Sequence, residues 1–249
     1  MMTNDYCVCI RAIDFSETSQ VVTFFTRRTG KVTVLAKGAK RQHSPFGGPV
    51  EIFSCGNVVF FDSGTDKLAT LVEFEPLAGM VNTSVLAGDI FILNCCLLAA
   101  ELVNVLTRDY DPHPGLFDGL LKFLHDVTEQ KILRNAILSH LILFQLCLLK
   151  EIGLSPVFEH CVNCKSPFST LWREIYFSNG AKGLICQDCQ GPFPDKTRLT
   201  QQGANCLVDV KSLASAPDTE IRQVEDILIS YITDILGRPP KMAKYILNS

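Results

Sequence analysis

Hydrophobic and polar positions alternate with a period of two through much of the first 75 residues. Alternation of this kind is typical of half-buried strands. The β-rich runs are residues 6–10, 21–26, 32–36, 50–53, 58–60 and 68–74. Five or six short strands in so short a segment must curl into a small barrel to bury a core and protect their edges. The pattern therefore predicts an OB-fold β-barrel.

After Pro76 the apolar positions recur at helical spacing. The predicted helices cover residues 84–106, 116–127, 131–152 and 221–236. Gly153 and Pro156 end the third helix, and Gly237 and Pro239 end the fourth, in the order expected for helix C-termini. We expect these helices to pack together in a bundle.

Four cysteines, Cys161, Cys164, Cys186 and Cys189, form two C-x₂-C pairs separated by 21 residues. Each pair can grip one metal ion from a tight turn, and two pairs complete a tetrahedron with no open position. Four unrelated core cysteines are the alternative, but the spacing favours a metal site. The sequence therefore predicts one structural Zn²⁺ ion, which would maintain shape and take no part in chemistry.

Together these patterns predict an α+β protein with two domains. The first is an OB-fold domain at residues 1–78, which we expect to bind nucleic acid. The second is an all-α domain at residues 79–249, with the four-cysteine zinc element inserted at about residues 157–193.

Composition narrows the class of protein. Of 249 residues, 47% are hydrophobic, which excludes a disordered chain. No basic-then-apolar leader is visible, and the odd number of cysteines, 11, suits a reducing compartment. The most apolar helix is interrupted by His140 and Gln145 and falls short of a bilayer span. We expect a cytoplasmic protein without membrane association.

Charge is unevenly distributed along the chain. The net charge is −3, yet residues 18–50 carry +6 with no acidic residue, which leaves −9 elsewhere. The six cations are Arg27, Arg28, Lys31, Lys37, Lys40 and Arg41. They predict a positive face that could neutralise phosphates, with barrel aromatic rings available to stack on bases. A solvated basic face without a ligand is the alternative.

The chain also resembles the bacterial recombination mediator RecO family in a series of segments. At the N-terminus these are Glu17-Thr18-Ser19, Phe25-Thr26-Arg27-Arg28-Thr29-Gly30-Lys31 and Leu35-Ala36-Lys37-Gly38-Ala39-Lys40-Arg41. Further along they are Ile152-Gly153-Leu154-Ser155-Pro156, the paired cysteines and Leu236-Gly237-Arg238-Pro239-Pro240-Lys241. Their order matches that family. Pro45 and Met242 depart from its common pattern.

The resemblance implies a DNA repair and recombination mediator. Such a protein binds single- and double-stranded DNA, anneals complementary strands and helps load RecA onto gapped DNA coated by the single-strand-binding protein. It also implies RecR and the acidic C-terminal tail of the single-strand-binding protein as partners, and a nucleoid-associated location in the bacterial cytoplasm. Since no nucleotide-binding loop or catalytic triad spacing is present, we expect no enzymatic activity. A zinc-braced adapter that docks an acidic protein and never meets nucleic acid is the alternative.

Overall fold

The alternating N-terminal segment forms a closed barrel in the computed structural model, which describes residues 1–62, 64, 68–129 and 133–247. Its strands are β1 (Met2–Asp14), β2 (Gln20–Thr26), β3 (Gly30–Ala36), β4 (Cys55–Phe61) and β5 (Ala69–Pro76). Around the barrel they follow the order β1-β2-β3-β5-β4, and β4 closes against β1. Only the β3–β5 pair is parallel among these strands. The predicted OB-like barrel is confirmed.

The first strand is long enough to pair with two neighbours. Its first half pairs with β4, and its second half, from Cys7 to Asp14, pairs with β2. A register shift between Cys9 and Arg11 marks a bulge, which bends the strand and lets it contribute to both sides of the closure. The barrel core includes Cys7, Cys9, Val22, Phe24, Val32, Val34, Val58, Phe60 and Leu71.

The β-rich run at residues 50–53 is not a strand, so the expectation of a possible sixth strand is wrong. Phe53 has a φ of 67°, which an extended strand does not allow. Its amide donates to the Cys9 carbonyl at 2.8 Å, and the Cys9 amide donates to the Ser54 carbonyl at 2.9 Å. The segment is therefore a turn that docks on β1 and buries the Phe53 ring.

Three helices follow the barrel: α1 (Thr83–Gly88), α2 (Ile90–Leu106) and α3 (Pro114–Thr128). The sequence predicted one helix where α1 and α2 lie. Asp89 separates them, because its backbone is extended and its side chain accepts hydrogen bonds from the amides of Phe91 (2.8 Å) and Ile92 (3.2 Å). An aspartate in this role begins a new helix.

Backbone contacts divide the chain into two units, residues 1–130 and residues 131–249. In the first unit Phe117 of α3 packs against the rings of Tyr6 (5.6 Å between centroids) and Phe25 (6.0 Å). Helices therefore cover part of the outer barrel surface. The division into domains at residues 78 and 79 stays a prediction.

The second unit contains helices and a small sheet. Its elements are α4 (Arg134–Glu151), β6 (Ile175–Ser178), β7 (Gly183–Cys186), β8 (Lys196–Leu199), α5 (Gln201–Val208), a 3-10 helix (Val210–Ser215), α6 (Asp218–Leu236) and α7 (Lys244–Leu247). The strands form an antiparallel sheet in the order β7-β6-β8. The predicted start of the third helix, Lys131, lies outside the described residues. No helix in the described ranges is long and apolar enough to cross a bilayer.

In sequence, the three strands lie between α4 and α6, and these two helices pack on each other. Phe177 of β6 meets the ring of Tyr231 of α6 edge-on, with centroids 5.8 Å apart. The Tyr231 hydroxyl donates to the Leu154 carbonyl at 2.9 Å. These contacts fasten the inserted sheet to α6.

A carboxyl group lies buried between α4 and α6. Gln145 Nε2 donates to Glu225 Oε1 at 2.7 Å, while Gln145 Oε1 and Glu225 Oε2 have no hydrogen-bond partner among the described residues. Burial raises the pKa of Glu225 to about 8, against the opposing effect of the Gln145 hydrogen bond. A proton on Oε2 would remove the buried charge and supply a donor to this pair.

We therefore expect the stability of the protein to fall as pH rises from about 4.5 to 8. The folded-state pKa of Glu225 lies above its unfolded value, so the folded state binds more protons in this window and loses that advantage as the carboxyl ionises. Glu225→Gln, which stays neutral, should reduce this fall by on the order of a few kcal/mol. Urea unfolding at pH 5 to 9 measures the effect. Asp234→Asn, an exposed carboxylate on the same helix, should keep the wild-type pH dependence, and a Glu225→Gln curve that follows the wild type would contradict the assignment.

Candidate metal centre and nucleic-acid interface

The four predicted zinc ligands meet in space. The sulfur atoms of Cys161, Cys164, Cys186 and Cys189 all lie within 4.8 Å of one another. Cys164 Sγ and Cys186 Sγ are 3.8 Å apart, which matches the edge of about 3.8 Å in a tetrahedron with metal–sulfur bonds of about 2.3 Å. The cluster can therefore hold one metal ion with four thiolate ligands.

Two tight turns present these cysteines. In the first, the Lys165 amide donates to the Cys161 carbonyl at 3.0 Å; in the second, the Cys189 amide donates to the Cys186 carbonyl at 3.1 Å. Gly183 begins the strand that leads into the second turn, where a Cβ atom would lie 2.4 Å from the Val157 carbonyl oxygen. Only glycine leaves room for that close approach.

Backbone amides prepare the first turn for a thiolate. Burial raises the pKa of the Cys161 thiol, but the amides of Cys186, Cys164 and Asn163 outweigh it and bring the pKa down to about 7. Burial, together with hydrogen bonds to the neighbouring thiols, raises the pKa of Cys186 to about 12. A cation would replace the protons that such thiols otherwise retain.

The other seven cysteines are separate from this cluster, and within the described part of the chain they form no disulfide. In the ranges that the structure describes, no second group of three or more cysteine, histidine or acidic side chains converges in the same way.

The structure does not bring the six predicted DNA-contacting cations together. Arg27 and Arg28 lie in the turn between β2 and β3, while Lys37, Lys40 and Arg41 follow the far end of β3. The two strands pair over their full seven-residue length, which separates these groups by about 20 Å. Instead of one positive face there are two exposed groups.

The arginines of the first group contact carboxylates. Arg27 donates from Nε and a terminal nitrogen to both oxygens of Asp118, at 2.9 and 2.8 Å. This bidentate hydrogen bonding raises the pKa of Arg27 and lowers that of Asp118. Arg28 lies 3.4 Å from the buried carboxylate of Asp5 and donates to the Asn4 carbonyl at 2.6 Å. Arg27 thus links the hairpin turn to α3, and Arg28 links it to β1.

The second group, here called the loop cations, consists of Lys37, Lys40 and Arg41. All three are exposed. Lys40 Nζ lies 2.6 Å from Asp14 Oδ2, whereas Lys37 and Arg41 form no ion pair within the described part of the chain. Two side chains of this group are therefore available to an anionic ligand.

Most of the barrel aromatic rings that could stack on a base are buried: Phe24 and Phe60 lie in the barrel core, and Phe25 is covered by Phe117 of α3. Phe24, Phe25, Phe53 and Phe60 are buried, and Phe61 is 45% exposed. The strand pattern missed Phe15, which is 64% exposed in the loop between β1 and β2. An aromatic residue within the polar run Asp14-Phe15-Ser16-Glu17 was the available signal.

Comparison with known families agrees with this architecture. The family described as "Recombination protein O N terminal" matches residues 1–80, and "Recombination protein O C terminal" matches residues 87–244. The chain belongs to the recombination protein O family. The RecO resemblance of its sequence segments is thereby confirmed.

Several similar proteins, all from bacteria, carry the name DNA repair protein RecO. The one from Rhodopirellula baltica is 28% identical over 236 residues, which cover 95% of this chain and 82% of the relative. The one from Anaeromyxobacter sp. strain K is 29% identical over 239 residues, covering 93% and 90%. The one from Bacillus subtilis is 30% identical over 237 residues, covering 91% and 88%.

One part of the RecO-like signature in this chain, Gly30-Lys31, serves the fold. Lys31 is only 9% exposed, and its ammonium donates to the carbonyls of Asn104 (2.7 Å) and Thr107 (2.8 Å) at the C-terminus of α2. It also lies 3.3 Å from the carboxylate of Asp109. A cation in this position satisfies carbonyls that the helix leaves unpaired and favours the negative end of its dipole.

Gly30 allows the segment after α2 to reach the barrel. Its φ is 82°, and a Cβ atom there would lie 2.3 Å from the Asp111 carbonyl oxygen. Next to it, the Tyr110 amide donates to the Lys31 carbonyl at 3.0 Å. The role of Lys31 in binding DNA stays a prediction, and in this structure its ammonium is bound by carbonyls of the protein itself.

We expect Lys31→Met to destabilise the protein by about 2 kcal/mol, because two buried carbonyls lose a charged donor. Lys37→Met removes an exposed lysine from the same barrel and should change the free energy of unfolding by less than about 0.5 kcal/mol. Urea unfolding of the full chain, followed by circular dichroism, measures both. Equal stability of the two variants would contradict a structural role for Lys31.

Proposed function

We propose that this RecO family member is a DNA repair and recombination mediator. It would bind single- and double-stranded DNA, anneal complementary strands and help load RecA onto gapped DNA coated by the single-strand-binding protein. The supporting observation is that the two family regions together match nearly the whole chain. The similar proteins are named as DNA repair proteins. The OB-like barrel with exposed loop cations provides a surface for this role.

Annealing by such a surface requires no hydrolysis. Cations that contact two phosphate backbones lower the repulsion between the strands, and base pairing then drives the reaction. The acidic remainder of the chain, with its charge of −9, limits non-specific adhesion of other polyanions. A non-enzymatic role follows from this mechanism.

The proposed protein partners are RecR and the acidic C-terminal tail of the single-strand-binding protein, in a bacterial cytoplasmic, nucleoid-associated setting. Family membership alone supports them.

We propose Zn²⁺ as the ion of the cysteine cluster. Four thiolates in a tetrahedral arrangement suit zinc, and a set of four protein ligands leaves no position for a substrate. The ion would join the turn of Cys161 and Cys164 to the end of β7, and so hold together a sheet whose strands have only four residues each. Its contribution would be structural.

DNA binding should depend on salt through the loop cations. With three contacts to single-stranded phosphates, one of them made by Lys40 in exchange for Asp14, the logarithm of affinity should fall against the logarithm of salt concentration with a slope of about −2. Changing Lys37, Lys40 and Arg41 together to alanine should weaken binding and flatten this slope. Fluorescence anisotropy with a short single-stranded oligonucleotide provides the measurement.

Lys122→Ala, which removes an exposed lysine of α3, is the matched control and should bind like the wild type. A wild-type protein that does not bind the oligonucleotide would favour the zinc-braced adapter. Unchanged binding by the triple variant would exclude the loop cations as the contact site.

Metal analysis should find about one zinc ion per chain. The double variant Cys186→Ser/Cys189→Ser should lose the ion and unfold at a lower urea concentration, because binding energy at a closed site contributes to folding. Cys147→Ala, a cysteine of α4 outside the cluster, should retain it. Zinc retained by the double variant would refute the site.

A further inference from the structure

The loop between β1 and β2 exposes an aromatic ring beside the loop cations. A phenylalanine ring gains about 1.5–3 kcal/mol from full burial, yet the Phe15 ring is 64% exposed. Isolated exposed apolar residues are common on protein surfaces. Phe15 differs because of how its loop is held and what lies next to it.

Hydrogen bonds fix the loop that carries Phe15. The Phe15 amide donates to the Ser19 carbonyl at 3.0 Å, and the Ser16 amide donates to the same carbonyl at 3.2 Å. The Ser16 hydroxyl oxygen accepts from the amides of Thr18 (3.4 Å) and Ser19 (3.2 Å). The ring is therefore held outward by an ordered loop, which reduces the entropy lost when a ligand stacks on it.

The same loop is bonded directly to the segment of the loop cations. The Lys40 amide donates to the Thr18 carbonyl at 3.1 Å, and the Gly38 amide donates to the Ser19 hydroxyl at 3.3 Å. The strand register agrees, because Asp14 pairs with Gln20 and Gln20 pairs with Ala36. Two strand spacings separate the ends of β1 and β3, so Phe15 and Lys37 begin about 10 Å apart.

The charges around the ring favour an anionic polymer over a plain apolar ligand. Lys37 and Arg41 have no ion pair within the described ranges, while Lys40 pairs with Asp14. Glu17, the other acidic residue of the loop, is exposed. An unpaired base has a π-face for the ring, and its flanking phosphates suit the cations.

On the basis of the proposed function, we propose that Phe15 stacks on an unpaired base of single-stranded DNA while the loop cations contact the adjacent phosphates. The loop between the first two strands is a common binding element of OB barrels. This assigns base contact to a ring in a loop at the end of the sheet, whereas the strand pattern placed the aromatic candidates on the face of the barrel.

Two probes of equal length separate stacking from phosphate binding: a 12-nucleotide oligothymidine, and the same backbone made of abasic sugars. Phe15→Ala should weaken oligothymidine binding by about 5- to 150-fold with an unchanged salt slope. Binding of the abasic probe should not change. Phe15→Tyr keeps an aromatic face and should bind oligothymidine within about threefold of the wild type.

Phe61→Ala is the matched control, since Phe61 is the other partly exposed barrel phenylalanine and pairs with Met2 at the opposite end of β1. It should bind both probes like the wild type. An unchanged urea midpoint for Phe15→Ala would show that the fold is intact.

Three results would overturn the inference. Oligothymidine binding by Phe15→Ala at wild-type affinity would show that the ring does not stack, although the DNA-binding function would stand. An equal loss on both probes would show that Phe15 only shapes the loop cations. Failure of the wild type to bind either probe would remove the proposed function and this inference with it.

Discussion

The buried ammonium of Lys31 fixes the end of α2 on the barrel, and much of the first unit depends on it. Transfer of a charge out of water is unfavourable unless several polar partners replace the lost hydration. Here two helix carbonyls and the Asp109 carboxylate supply them. A side chain at position 30 would collide with the segment after α2, so this position requires glycine. Gly30 and Lys31, adjacent in sequence, thus together allow the end of α2 and the segment after it to pack on the barrel. The barrel surface under the helices can then be apolar, as the contact between Phe25 and Phe117 shows.

The inserted sheet of the second unit faces a different constraint. Strands of four residues bury little apolar surface, and three of them make a marginal sheet in water. Two kinds of contact compensate. Phe177 and Tyr231 attach the sheet to α6, and the four cysteines bring the turn that precedes β6 within a few ångströms of the turn at the end of β7. A metal ion at the cluster would therefore add a link between two turns that the short strands alone hold with few contacts.

Local periodicity and spacing predicted most of this architecture. The alternation of period two identified the five barrel strands, helical spacing identified the major helices, and the C-x₂-C pairs identified four residues that do converge. The errors arose where a single residue overrides the periodic pattern. Asp89 caps a new helix inside an apolar run, and the positive φ of Phe53 turns a β-rich run away from the sheet. Neither effect changes the hydrophobic period, so neither could be predicted from it. The position of Lys31 was equally hidden, since its partners lie more than 70 residues away in sequence.

Burial, and not proximity in sequence, decides which cations of the basic segment can serve a ligand. Lys31 cannot leave its site without removing the charged donor from the carbonyls of Asn104 and Thr107. Arg27 and Asp118 form a pair that is about half exposed on both sides, and such pairs contribute little to stability because water and salt screen them. Its arginine can therefore exchange a carboxylate for a phosphate with little loss. Lys37 and Arg41 form no ion pair with a carboxylate in the described ranges, so neither must give one up to bind a phosphate. The six positive charges thus differ in availability although they occupy one short stretch of chain, and a net charge counted along the sequence overstates the surface that a nucleic acid would meet.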